Sequence, residues 1–204
     1  MIRLLIILFV MIHSTAACQN VYQLKDLFTE TQIVWYGIDY TRVEMVGTFT
    51  NKDLHEYYHG WNKLIIQESE KYNIAKALQR SLVTFDQVHV EQLNDQSTPI
   101  VLGVPSDRSI QKSDIAEMVS EYKSNQTYGI GLVFIAERYH KAKSTASHYA
   151  VFFDIATKKV LLSQRYTTAP GGMGVRNFWA PTIYSAIKLM VKNYKKWKKE
   201  YGGT

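Results

Sequence analysis

The feature that most constrains the fold is a set of three β-forming runs crowded between Tyr128 and Tyr166, followed by a glycine turn and a final helix. The runs are Ile130 to Ala136, Tyr149 to Ile155 and Val160 to Tyr166, each rich in the β-branched and aromatic residues that suit a pleated, half-buried surface. Ala156-Thr157-Lys158-Lys159 separates the second run from the third and leaves room only for a hairpin turn. Between the first and second lies a polar, basic linker, His140 to Ser147, which a longer hairpin loop accommodates. The expectation is a C-terminal antiparallel three-strand unit at the centre of a sheet.

The rest of the chain supplies further strands and the helices to cover that sheet. At 204 residues, one domain is the default. Gln32 to Phe49 is dense in β formers and reads as two strand segments, with Gly37 or Thr41-Arg42 marking a bend or bulge. Asp39 lies inside it, read as a strand-end carboxylate rather than a buried site acid, because buried acids need a partner. Thr50 or Asn51 caps a helix starting near Asp53, whose Leu54, Tyr57, Tyr58, Trp61, Leu64 and Ile65 recur at helical spacing. A second short helix spans Ile74 to Leu82. Thr84 to Val90 reads as a short strand and Asn94 to Asp107 as a loop broken by Pro99 and Pro105. Ser113 is the expected N-cap of the next helix, with no full capping box because Ala116 stands where Glu or Gln is wanted. The last helix is expected to start between Asn177 and Pro181, where a proline's missing N–H costs nothing. Ile183, Ile187, Met190, Val191, Tyr194 and Trp197 form its apolar stripe. The fold class is α/β or α+β: a single mixed sheet with helices packed on it.

The N-terminus reads as an export segment. Met1-Ile2-Arg3 is a short basic region, Leu4 to Ile12 an unbroken apolar run, and His13 to Ala17 a small-residue region. The apolar run is shorter than the roughly 20 residues needed to span a bilayer. Residues 1–17 are assigned as signal peptide, 18–30 as tether and 31–204 as the domain. Cys18 is the only cysteine, placed where cleavage after Ala17 leaves it first in the mature chain, and with one cysteine no internal disulfide forms. The formal net charge is +6, and six lysines against one acid from Ala186 to Thr204 account for +5 of it. The charge therefore belongs to the last helix, whose lysines form either a solvated back or a contact for anionic lipid or polymer. A nucleic-acid partner is not expected. The 14 tyrosines suit sheet faces and rims, or alternatively a contact surface.

Two resemblances add to this reading. Thr15-Ala16-Ala17-Cys18 resembles the bacterial lipobox, with Thr15 where that pattern prefers Leu; the resemblance implies a diacylated Cys18 at the mature N-terminus. Cleavage by an ordinary signal peptidase at the same bond is the competing reading. Gln19 after Cys18 implies, by analogy with lipoprotein sorting, an outer-membrane destination. In the final third, the hairpin Phe153-Asp154-Ile155-Ala156-Thr157-Lys158-Lys159-Val160-Leu161 is similar to that of periplasmic assembly lipoproteins, namely the penicillin-binding-protein activators and the N-terminal domain of TolB. Those usually carry glycine where Lys158 stands. The resemblance implies a non-enzymatic binding role.

Two motifs offer chemistry. His55-Glu56-Tyr57-Tyr58-His59 is an H-E-x-x-H, which on a helix sets both histidines on one face to hold zinc, with Glu56 as base for a bound water. Gly60 follows directly and no third ligand stands at a recognised spacing; the competing reading makes His55 and His59 rim residues. The second motif is Pro170-Gly171-Gly172-Met173-Gly174-Val175-Arg176-Asn177. Gly171, Gly172, Gly174 and Arg176 form a candidate anion site of freed N–H groups beside an arginine at a helix start. The competing reading is a tight connection whose glycines adopt positive φ. No serine or cysteine nucleophile set is visible, and His140 and His148 are expected at the surface. Asn125-Gln126-Thr127 is a glycosylation sequon of weight only in a eukaryotic secretory setting.

The reading is an exported, lipid-anchored cell-envelope protein with a non-catalytic binding or assembly role and no cofactor. Its partners are a membrane, through lipid on Cys18, and an envelope protein or polymer. The alternatives are a zinc-dependent hydrolase using His55, Glu56 and His59, and an anion-binding module at the glycine turn.

Overall fold

The computed structural model describes residues 21–49 and 51–202. The expected signal peptide, Cys18 and Thr50 lie outside the described residues. The chain opens with a 3-10 turn, Leu24–Phe28, then β1 (Ile33–Asp39), β2 (Glu44–Val46), α1 (Asn51–Gln67), α2 (Ile74–Ala77) and β3 (Thr84–Phe85). It continues through α3 (Val88–Gln96), β4 (Ile100–Leu102), α4 (Lys112–Glu121), β5 (Ile130–His140), β6 (Thr145–Asp154), β7 (Val160–Thr168) and α5 (Val175–Tyr201).

Seven strands form one mixed sheet. β5 is its axis. One side of β5 pairs in parallel with β1 and then β2, which follow each other along the same edge. The other side pairs antiparallel with β6, and β6 pairs antiparallel with β7. The short strands β3 and β4 add in parallel outside β1 and β2. Side chains alternate across the sheet with period two, which divides the core into two layers. Trp35, Leu132, Phe134 and Phe152 face α1, α2, α5 and the 3-10 turn. Val34, Tyr36, Val133, Val151 and Phe153 face α3 and α4 through Val90, Ile115, Val119 and Tyr122. Every residue of β1 is buried, as expected of a strand covered on both faces.

β1 runs past the end of β3, and two asparagines replace the missing neighbour. From α1, Asn62 Oδ1 accepts from Ile38 N (2.7 Å) while its Nδ2 donates to Ile38 O (3.0 Å). From α3, Asn94 Oδ1 accepts from Tyr40 N (2.6 Å) while its Nδ2 donates to the same Ile38 O (2.9 Å). The close fit is allowed by Gly37, at φ +95, where a Cβ would stand 3.0 Å from Asn62 Oδ1.

Several elements differ from the sequence expectations. The segment read as strand to Val90 and then loop is instead the helix α3, and Ile100–Leu102, read as part of that loop, is β4. α2 stops at Ala77 rather than Leu82. α4 starts at Lys112 after Gln111, whose backbone N–H is taken by the Asp114 carboxylate at 2.8 Å, so the acid that caps it sits one turn earlier than Glu117. α5 starts at Val175, which places Pro181 inside the helix rather than in its first turn. The 3-10 turn, within the stretch expected as tether, is docked on the domain with Leu27 and Phe28 buried.

Candidate functional site

The glycine turn closes the top of the molecule, where β7 ends and α5 begins. Gly171 N–H is spent on Phe178 O at 2.8 Å, folding the turn back onto the helix. Gly172, at φ +104, lies so close that a Cβ would stand 2.9 Å from Asn177 O, the carbonyl whose helical partner Pro181 cannot supply. Gly174, at φ +76, is the N-cap residue. These glycines therefore serve the tight connection. The N–H groups of Val175, Arg176 and Asn177 are the first of the helix.

Arg176 ties this turn to α1. Its carbonyl accepts from Trp61 Nε1 at 3.0 Å, and its Nε would lie 3.6 Å from a Cβ on Gly60. Gly60, which interrupts the H-E-x-x-H helix, thus makes room for the arginine. Beside the turn is a cavity of about 240 Å³ lined by Thr48, Phe49, Lys141, Gly174, Val175, Phe178 and Trp179. Its floor is aromatic: Trp179 lies 5.0 Å from Phe178, 6.1 Å from Phe49 and 5.0 Å from Tyr139 between ring centroids. Lys141 Nζ reaches Thr48 O at 3.4 Å across the mouth. Met173, 89% exposed, projects from the adjoining turn. An apolar floor, one cation and a helix start suit an apolar group bearing a carboxylate or another anionic end.

The H-E-x-x-H residues point elsewhere. His55 Nε2 lies 3.0 Å from Ser97 O, and His59 Nδ1 lies 3.8 Å from Glu91 across the α1–α3 contact. Glu56 is exposed. Among the described residues, no group of three or more His, Cys, Asp or Glu side chains is placed to hold a metal ion.

The buried acids all have internal partners. Asp39 accepts from Thr41 N (2.8 Å), Thr41 Oγ1 (2.6 Å) and Tyr122 Oη (2.5 Å), in keeping with a strand-end carboxylate. Burial nonetheless raises its pKa above the usual carboxylate range. A bulge between Ala136 and Arg138 turns Glu137 and Arg138 to the same face. There Glu44 holds Arg138 at 2.6 Å, and Glu137 holds Arg165 at 2.6 Å and Ser147 at 2.7 Å. Arg138 also donates to Ser106 O and Arg108 O, pinning the loop after β4. His148, expected at the surface, is fully buried. Its Nε2 meets Tyr139 Oη at 2.8 Å, and burial pushes its pKa down to about 3. His140 is half-buried at the end of β5.

The pocket residues Phe49, Lys141, Phe178 and Trp179 were not legible as a set, since they come from three distant segments with no shared motif. Only the glycine turn beside them carries a sequence signal.

No protein-family model matches this chain, and neither does any curated protein sequence. Among solved structures, lipoprotein GNA1162 from Neisseria meningitidis is similar at 14% identity and a TM-score of 0.34, over 80% of this chain and 97% of that one. The LpoB C-terminal domain from Escherichia coli is similar at 9% identity and 0.29, over 72% and 96%. A neuraminyllactose-binding hemagglutinin homolog from Helicobacter pylori is similar at 10% identity and 0.31, over 84% and 88%. At these scores no function passes from them to this chain.

Proposed function

We propose that this chain is an exported bacterial cell-envelope protein, lipid-anchored through Cys18, with a non-catalytic binding role centred on the pocket beside the glycine turn. The observation that carries the reading is the spacing between export signal and fold. The lipobox-like Thr15-Ala16-Ala17-Cys18 ends four residues before Tyr22, whose N–H already donates to Asp154 Oδ2 at 2.8 Å. The pocket lies at the other end of β5, beyond His140, whereas Asp154 pairs with Ile130. At about 3.3 Å per residue along β5, the pocket stands roughly 30 Å from the anchored end. In this reading Met173, Lys141 and the aromatic floor face away from the membrane, toward an envelope protein or polymer. Gln19 directs the anchor to the outer membrane.

The internal pairing of Asp39, Glu44 and Glu137 supports a structural use of the buried acids. The test is the intact mass of the mature protein from its native membrane, with metal content on the same sample. A diacyl or triacyl mass on Cys18 with no zinc is expected. An unmodified N-terminus with one zinc per chain would overturn the proposal in favour of a hydrolase using His55, Glu56 and His59.

A further inference from the structure

α5 runs the length of the domain, and its direction decides where its charge goes. It begins with Trp179 beside Tyr139, near the pocket end of β5. It ends with Trp197 at 6.4 Å from Phe152 and Tyr194 donating to Leu27 O at 3.2 Å. Phe152 is two residues from Asp154, which holds Tyr22 N. The C-terminus of α5 and the point where the chain enters the domain are therefore at one end.

That end is basic. Met190, Tyr194 and Trp197 are buried, while Lys192, Lys195, Lys196, Lys198 and Lys199 are exposed on the rest of the helix. Among the described residues, none of these lysines is in an ion pair. Glu200 is the only acid from Ala186 onward. The neighbouring acids are turned to backbone N–H groups: Asp26 to Gln23 N at 2.6 Å, Glu30 to Gln32 N at 2.8 Å, and Asp154 to Tyr22, Ala156 and Thr157. Lys25 on the 3-10 turn and Lys159 on the β6–β7 turn are exposed at the same end.

The short link from Cys18 supplies the occupant. A free tether of residues 18–30 would let the domain stand about 40 Å from its anchor, at most 3.3–3.6 Å per residue. Because residues 21–30 fold onto the domain through buried Leu27 and Phe28, only the step from Cys18 to Val21 remains, about 10 Å when fully extended. That is close to one Debye length at physiological salt, inside which lysines feel an anionic bilayer.

We infer that the C-terminal end of α5, with the 3-10 turn, is a membrane-facing surface that seats the domain on anionic phospholipid headgroups beside its anchor. This rests on the anchored reading for its orientation, but the surface itself is testable without the lipid. Each lysine close to an anionic surface multiplies the partition constant by about fivefold. The test uses the full mature chain carrying Cys18→Ser, so that no lipid is attached, mixed with phosphatidylcholine vesicles with or without 30% phosphatidylglycerol. Co-sedimentation is expected to need phosphatidylglycerol and to weaken with salt. Changing Lys195, Lys196, Lys198 and Lys199 to Gln should lower the partition constant about 600-fold, with circular dichroism and melting midpoint unchanged because all four are exposed. Lys143→Gln, in the β5–β6 turn at the opposite end, should change it less than about twofold. Equal binding by the four-lysine variant, or binding indifferent to phosphatidylglycerol, overturns the inference. So does retention on anionic cell-wall polymer with none on vesicles. The anchor is judged separately by the mass of the native protein, so an unlipidated Cys18 and an inert lysine surface are distinguishable results.

Discussion

Replacing Asn62 and Asn94 by Ala, singly and together, tests whether two side chains do the work of a strand. Asn62→Ala strands the buried Ile38 N–H, while Ile38 O keeps its bond from Asn94 Nδ2. Asn94→Ala strands the Tyr40 N–H, while Ile38 O keeps its bond from Asn62 Nδ2. An unsatisfied buried donor costs about 1–3 kcal/mol, so each single variant should lose about 2 kcal/mol. For a domain of this size that is a drop of about 4–8 °C in melting midpoint. The double variant leaves Ile38 O bare as well, so its loss should exceed the sum of the singles by about 1–2 kcal/mol. Urea unfolding is the assay, followed by the fluorescence of the buried Trp35, Trp61, Trp179 and Trp197. The urea slope should be unchanged, so that the midpoint shift reports stability alone. A double variant whose loss equals the sum of the singles, or single losses below about 0.5 kcal/mol, would refute the shared-acceptor reasoning.

Three further outcomes are expected. His148 stays neutral when folded down to about pH 3, but takes up a proton in the unfolded chain below pH 6.5. Its contribution is therefore complete above pH 6.5 and is lost as pH falls, by up to about 1.4 kcal/mol per unit, so a urea titration of His148→Leu should show a shallower acid slope than wild type. Gly131→Ala places a Cβ 2.3 Å from Phe153 Cζ, whose ring lies 5.0 Å from Tyr36. It should cost about 1–3 kcal/mol in the same unfolding assay, and Phe153→Leu in the Gly131→Ala background should recover part of that. Gly172→Ala, at φ +104 against Asn177 O, should cost about 1–2 kcal/mol and lower the melting midpoint without altering the circular dichroism of the folded state.

The elements that were legible carry their signal in apolar periodicity: β1, α1, the cores of β5 to β7, and the stripe of α5. α3 was hidden because only Val90 and Asn94 of it are buried, and the latter is polar, held by what it does for β1 rather than by an apolar face. β4 is three half-buried residues between prolines, too short for any period to show. β5 and β6 extend beyond the runs read as strand because Glu137, Ser147 and His148 are buried with partners and half-buried Arg138 is paired, and that pairing depends on Glu44, Arg165 and Tyr139 elsewhere in the chain. The candidate site was half visible. Its glycines announced a turn, but the aromatic floor comes from Phe49 after β2, Tyr139 in β5 and Phe178 and Trp179 in α5, and only the fold brings them together.

The axial position of β5 has a consequence for how the chain acquires its shape. Ile33 must wait for Ile130, across nearly half the sequence, before β1 gains a partner longer than the two residues of β3. β2 waits in the same way for Arg138, with only the three residues of β4 before it. Such distant pairings form late, because the entropy of closing the intervening loop is lost before any contact repays it. The amino-terminal half of a nascent chain therefore has no sheet to join until its central rung has emerged. It stays pliable through that interval, the condition a polypeptide must be in to thread a membrane channel.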